Sequence, residues 1–284
     1  MVEGRSRHMT SREALRSFLP RSILNWRESR FHGRYGEVEL RLLKFLCRRE
    51  ADAIDVGADE GTYVHHMRPY VRRVIAYEPL PRSAHVLRAK FGRDVSVEAL
   101  ALSDRKGTAE LRVPVVDGMV VNGCATASLH AAATYPVCQS VDVPTNRLDD
   151  VYRGRVGIMK VSVEGHEQAV LEGAIETVRR DRPRLVVRID ERLSPGSMGR
   201  ASAYFSMLGY TGHFVHNNVL KPLERFSVRH MQHSGNVPDL MAPLQARERF
   251  GRYVYNFIFL PTEEPESTLS GIVRHLEKLR SRPG

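Results

Sequence analysis

The stretch "AIDVGADEGTY", residues 53–63, decides how the chain is read. "DAIDV" is short and mostly apolar, as a buried strand is, and two glycines, Gly57 and Gly61, follow it at once. A strand that ends on such a turn and gives way to a helix lets a ligand come close, because glycine permits both the sharp turn and the approach. The helix that follows offers unsatisfied N–H groups at the same place. Glu78 comes 21 residues after Gly57, at the end of the next apolar run "RVIAYEP". An acid there can accept hydrogen bonds from both hydroxyls of a ribose. A dinucleotide fingerprint would have a glycine where this chain has Asp59, and Asp55 and Glu60 stand close by. Three carboxylates in one loop repel a pyrophosphate. They suit S-adenosylmethionine, which has a sulfonium, an ammonium and a ribose but no phosphate. The alternative is an ordinary tight strand-to-helix turn.

Outward from this stretch, "VSVEALAL" reads as a third strand, and "TAELRVPV" and "CQSVDVPTNRL" as more solvent-facing ones. "RVGIMKVSV" and "PRLVVRID" are buried strands on either side of a helix, "HEQAVLEGAIETVRRD". "GRASAYFSMLGY" is a helix ending at Gly209, "YVYNFIFLP" a late strand, and "STLSGIVRHLEKLR" a surface helix. Upstream, "SREALRSFLPRSILNW" is helical and broken by Pro20. "GEVELRLLKFLCRRE" has the spacing of an amphipathic helix docked on a core. Strands alternating with helices predict a mostly parallel sheet covered on both faces. The expected division is an N-terminal helical extension (1–36), the main domain (37–262) and a C-terminal helix (263–284). Residues 114–138 and 227–249 have little periodicity and read as long loops or lids.

With 284 residues, 42% hydrophobic and 27% charged, the chain has room for one sizeable α/β domain with additions. No apolar run approaches membrane-spanning length, and the first twenty residues lack a secretory apolar core. Cys47, Cys124 and Cys138 are scattered without metal spacing, which suits a reducing compartment, so a cytoplasmic location is expected. The net charge is +10, of which residues 1–50 supply +6. Such a balance attracts nucleic acid, a membrane surface or an anionic substrate. No basic run is interleaved with aromatics as single-strand binders require, so nucleic acid is not the expected partner. The pairs His213/His216 and His230/His233 would share one face if helical, and His65/His66 would point apart. No third ligand accompanies any pair in sequence, and no metal is expected.

The chain resembles the FkbM-type S-adenosylmethionine-dependent methyltransferases. The matching segments are "DVGADEGTY", "AYEPLP", "ALSDRKGTAEL", "VPTNRLDD", "KVSVEGHEQAVLEGA" and "RPRLVVRID", with weaker "LGY" and "NFIFLP", in the family's order over roughly residues 37–261. The resemblance implies a Rossmann-like class I methyltransferase fold, an α/β arrangement whose seven-stranded, mostly parallel sheet has one antiparallel strand and helices on both faces. It implies S-adenosyl-L-methionine as cofactor and methyl transfer, usually to a hydroxyl of a sugar, glycolipid or secondary metabolite. Asp55, Gly57 and Gly61 would line the cofactor's methionine end, with Ala58 and Tyr63 beside them. Glu78 would hold the ribose. Pro79 and Leu80, and Leu100 or Ala101, would flank the adenine, with Ser103 and Asp104 at that edge or simply in a polar turn.

Two positions depart from the family pattern. Ser162 stands where the family has Asp in Lys-x-Asp-x-Glu-Gly, and Arg188 stands where the fifth strand often has Glu. A serine is a poor base, and an arginine would repel a metal but fit an anionic acceptor. A neutral hydroxyl needs a base within hydrogen-bond reach. The candidates are Glu164, His166 and Lys160, with Glu167 nearby, all at a strand's C-terminal end. Helix capping by Glu164 and a solvated first-turn His166 are the structural alternatives. Tyr135 and Asn217, in irregular context, are candidates for the substrate wall. Two other functions compete: a catalytically degenerate protein that binds cofactor or partner, and a nucleic-acid methyltransferase.

Overall fold

The computed structural model describes residues 36–116, 118–237 and 253–281. The predicted helices of "SREALRSFLPRSILNW" and the part of the second irregular stretch beyond residue 237 lie outside them.

Twelve strands are described: β1 (Asp52–Val56), β2 (Val74–Tyr77), β3 (Val95–Glu98), β4 (Ala101–Leu102), β5 (Gly107–Val116), β6 (Met119–Val120), β7 (Cys138–Asn146), β8 (Val156–Val161), β9 (Arg184–Arg188), β10 (Tyr210–His216), β11 (Val219–Pro222) and β12 (Asn256–Pro261). Eight form one sheet in the order β11-β10-β12-β9-β8-β1-β2-β3, and four form a smaller sheet in the order β4-β7-β5-β6. β3, β2, β1, β8 and β9 run parallel, and β12 pairs antiparallel with both β9 and β10. This is the class I methyltransferase arrangement with one strand more than expected. The extra strand is β11, folded back on β10 through Asn217 and Asn218, both in the left-handed region (φ 53° and 57°). Two successive positive φ values make the kind of turn whose twist matches a hairpin, and asparagine tolerates them.

The side chains of the large sheet alternate between two cores, as the two-residue strand repeat requires. Ile54, Val56, Met159, Leu185, Val187 and Phe257 face one, where Phe205 of the helix Ser197–Met207 stacks on Phe259 with ring centroids 3.7 Å apart. Ala53, Val74, Ile158, Val186 and Ile258 face the other, beneath Leu42, Leu43, Leu46, Val64 and Met67. The C-terminal helix Glu266–Arg280 also docks there through Ile272 and Leu276, so only one side of it is a surface.

Four expectations need correction. The predicted third strand divides: β3 pairs with β2, whereas Ala101 and Leu102 leave the large sheet and pair with Thr145 and Asn146 of β7. The helix expected from His166 to Asp181 is two, Glu167–Glu172 and Ile175–Asp181, because the backbone at Gly173 lies against Ser103. A Cβ at Gly173 would stand 1.9 Å from the Ser103 carbonyl oxygen. The amphipathic helix after Gly36 is one 3-10 turn, Val38–Arg41, and one α turn, Leu43–Leu46, with Glu39 buried among the leucines. Residues 114–138 are no bare loop. They hold β6, a 3-10 turn Asn122–Cys124 and a helical turn Leu129–Ala132, capped by the Ser128 side chain.

Candidate functional site

The strand β1 ends at Gly57, whose φ is +74°. A Cβ there would stand 2.0 Å from the carbonyl oxygen of Ser162, so only glycine lets the exits of β1 and β8 touch. Gly61, at φ +83°, starts the helix Thr62–Met67, and a Cβ there would meet the Phe91 ring at 2.4 Å. Between them Asp59 takes φ 45° and turns its backbone N–H onto Glu78 Oε2 at 2.8 Å. Leu80 N–H donates to Glu78 Oε1 at 3.0 Å. Each carboxylate oxygen of Glu78 thus has one fixed backbone donor and keeps acceptor capacity. Burial pushes the Glu78 carboxyl up to about 7 against the pull of those two N–H groups.

Two cavities meet at this turn. A narrow cleft is walled by Tyr77, Glu78, Leu80, Leu100, Ala101 and Leu111 among others. A larger cavity is walled by Glu37, Asp55, Tyr63, Lys160, Arg188 and Tyr255 among others. Gly57, Asp59, Gly123 and Ser162 line both. The small sheet and residues 122–127 roof the first cleft. Gly123 sits against the Asp59 carboxylate, and the Thr126 hydroxyl donates to the Glu164 carbonyl at 2.6 Å.

A polar row crosses the large sheet on the side of the second cavity. Asp55 and Lys160 are register partners on β1 and β8. Asp55 Oδ2 is buried with no hydrogen-bond partner. Burial raises this carboxyl to about 7, Lys160 pulls it down, and Glu78 pushes it up again. Lys160 Nζ is 3.4 Å from Asn256 Oδ1 and 4.9 Å from the Tyr63 ring centroid. Burial lowers its pKa, opposed by the charges of Glu37 and Asp55. Glu37 accepts hydrogen bonds from Tyr63, Tyr255 and Asn256. Burial would raise Glu37, but Lys160 and these donors hold it below the ordinary carboxylate value. Glu39, buried beside Glu37, is raised to about 7 by burial and by its neighbour's charge. Sequence reasoning passes over both acids. The available signal is Glu39 on the inner face of an otherwise apolar segment.

The structure gathers most of the residues singled out in sequence. Pro79, Leu80, Leu100 and Ala101 wall the first cleft with Glu78, and Ala58, Asp55, Tyr63 and Lys160 wall the second. Gly61 lines neither and packs on Phe91. Ser103 Oγ stands 3.0 Å from both Asp104 Oδ1 and His166 Nε2, beside the first cleft. His166 is therefore on the side of Glu78 and not in the larger cavity. Burial lowers its pKa, with Asp104 opposing. Glu164, at φ 49°, does not cap the next helix. Its Oε1 pairs with Arg188 Nη1 at 2.7 Å, while Glu167 accepts from the Gly165 N–H in the turn before that helix. Burial raises Glu164 and Arg188 pulls it down.

Tyr135 and Asn217 line neither cavity, and Asn217 belongs to the β10–β11 turn. The histidine pairs are differently placed from a helical expectation. His213 and His216 lie on strand β10, where residues three apart face opposite sides. The helix Val228–Met231 includes His230 and stops before His233. Among the described residues no group of three His, Cys, Asp or Glu side chains is placed to hold a metal ion. No described helix is long and apolar enough to cross a membrane.

These residues fit S-adenosylmethionine. An orphaned buried carboxylate oxygen, Asp55 Oδ2, suits a cation. A fixed carboxylate with spare lone pairs, Glu78, suits a vicinal diol. Gly57, which has no side chain, lines both cavities and lets a ligand approach the turn. The sequence model of the FkbM methyltransferase domain matches residues 55–211, more than half of the chain. No curated protein matches it in sequence. Among solved structures, the methyltransferase FkbM from Methylobacillus flagellatus KT is similar at 13% identity and a TM-score of 0.45, over 74% of this chain and 43% of that one. The present chain thus spans less than half the length of that protein. An rRNA methylase from Streptococcus thermophilus is similar at 9% identity and a TM-score of 0.37, over 78% of this chain and 93% of that one. SMU.1697c from Streptococcus mutans, solved in complex with SAH, is similar at 12% identity and a TM-score of 0.34, over 78% and 95%. On the domain match, the chain belongs to the FkbM methyltransferase family.

Proposed function

We propose that the protein methylates a hydroxyl oxygen of a sugar, glycolipid or secondary metabolite. The observation that carries this reading is the junction of the two cavities at Gly57, Asp59, Gly123 and Ser162. The first cleft, narrow and largely apolar but edged by Glu78, Asp59, Ser162 and His166, suits an adenosine. The second, larger cavity is where the cofactor's methionine end would meet an acceptor. The bound cofactor supplies a methyl group already activated on a sulfonium.

The chain's own residues then have three tasks. Glu78 accepts the ribose hydroxyls, and Asp55 neutralises the ammonium. Leu80, Leu100 and Ala101 sandwich the adenine, with Ser103, Asp104 and His166 at its edge. The walls exclude water and hold the acceptor in line, which is where most of the rate acceleration for such a displacement arises. Lys160 is the proposed proton acceptor. It is buried, burial lowers its pKa, and it lines the second cavity with Ser162. Glu164 is a positioning residue, because Arg188 occupies its carboxylate.

The test is transfer of a labelled methyl group from S-adenosylmethionine to a panel of glycosides and hydroxylated metabolites, followed by mild alkali. On acceptors that carry no amine or thiol, label that survives alkali is an ether on a hydroxyl, as proposed. Label released by alkali is an ester and contradicts it. A nucleic-acid acceptor is the competing reading, favoured by the net charge of +10. It predicts label on RNA or DNA with a steep fall as salt rises.

A further inference from the structure

We propose that Arg188 selects the acceptor, gripping a carboxylate group carried beside the hydroxyl that is methylated. This deepens the hydroxyl-methylation reading above and rests on it. Arg188 ends β9 and lines the larger cavity. One side of its guanidinium is committed, with Nη1 at 2.7 Å from Glu164 Oε1. Its carbon lies 4.9 Å from the centroid of the Tyr255 ring. Nε, by contrast, is buried with no hydrogen-bond partner. A buried donor left without an acceptor is disfavoured, and an oxygen of a bound molecule is what would satisfy it. The planar fork of an arginine matches the two oxygens of a carboxylate.

The neighbouring basic side chains already have partners. Arg192 Nη2 pairs with Asp190 at 2.8 Å and its Nε donates to Tyr253 at 2.6 Å. Lys160 lies against Asn256 and Tyr63. Glu37, a further acid whose charge acts on Arg188, is held by Tyr63, Tyr255 and Asn256. The carboxylate is the acceptor's and not the cofactor's own, on the sheet order. β9 is two strands from β1, so the Arg188 backbone stands about 10 Å from the glycine turn at about 4.8 Å per strand. The backbone at Glu164 supports the arrangement. Its positive φ and the bond from Thr126 to its carbonyl hold that carboxylate under Arg188.

The experiment is calorimetric titration of the protein loaded with S-adenosylhomocysteine. The probes are methyl glucuronide against methyl glucoside, and 4-hydroxybenzoate against 4-hydroxybenzyl alcohol. Wild type is expected to bind at least one acid about ten-fold or more tighter than its neutral partner, as a charge-assisted pair predicts. Arg188→Lys, which keeps a charge for Glu164 but has no Nε edge, is expected to lose that preference. It should bind S-adenosylhomocysteine as wild type does. Arg188→Gln combined with Glu164→Gln removes the pair without stranding a charge and should also lose it. Equal binding of acid and neutral probes by wild type overturns the proposal, as does a preference that survives in both variants. Loss of S-adenosylhomocysteine binding in Arg188→Lys also overturns it, assigning Arg188 to the cofactor. Failure of the wild type to bind S-adenosylhomocysteine at all would instead sink the cofactor site itself.

Discussion

At Gly57 the φ of +74° and the 2.0 Å separation from Ser162 act together, since a side chain would be both strained and in collision. Gly57→Ala is therefore expected to lower stability by about 1–3 kcal/mol and to abolish cofactor binding. Thermal unfolding with and without S-adenosylhomocysteine checks both. A variant that keeps its ligand-induced shift would contradict the close approach of the two strand ends. Lys160 is tested by Lys160→Met, which should reduce kcat about 100-fold or more while cofactor affinity stays near wild type. An equal loss of binding would make Lys160 a cofactor residue. Gly57, Asp55 and Glu78 were legible in sequence because strand, turn and acid recur at fixed spacing. Glu37 was not, because its partners Tyr63, Tyr255 and Asn256 are remote in sequence and only the fold brings them together.

Among the elements, Phe205 carries the contact between the helix Ser197–Met207 and β12. It is 1% exposed and stacks on Phe259. Phe205→Ala is expected to cost about 3–5 kcal/mol, read from denaturant unfolding, with cofactor affinity retained under native conditions. A small loss would mean that the two rings contribute little to that face. Most strands of the large sheet were legible, because parallel strands buried on both faces are near-continuous apolar runs. β11 was not, since Val219–Pro222 is short and partly exposed and has no apolar run. The Asn217–Asn218 pair was its available signal. The division of the predicted helix at Gly173 was not legible either, because it reflects a tertiary contact with Ser103 that no local periodicity encodes.

For the whole molecule, the pH response follows from its buried acids. Asp55, Glu39 and Glu78 are each raised to about 7 by burial. The folded protein therefore holds protons that the unfolded chain releases above about pH 4. The stability these groups contribute is full below that pH and is lost as pH rises to about 7. His166 and His213, lowered by burial, act in the opposite direction, and comparison with Asp55→Asn isolates the acid. The cofactor-free protein is expected to lose more stability between about pH 5 and about pH 7.5 than Asp55→Asn does, in thermal unfolding at those two values. Equal losses would mean that Asp55 is ionised throughout. Fold class and cofactor were legible at this scale because they follow from strand order and one loop. The acceptor was not, because the second cavity is assembled from residues as far apart as Glu37, Arg188 and Tyr255.

Whether Glu78 and the glycine turn hold the cofactor is read from calorimetric titration of S-adenosylhomocysteine into wild type and Glu78→Ala. Wild type is expected to bind with micromolar affinity and the variant about ten-fold or more weakly, as removal of a charge-assisted pair of hydrogen bonds requires. No heat with wild type, or equal affinity in the two proteins, would contradict that role.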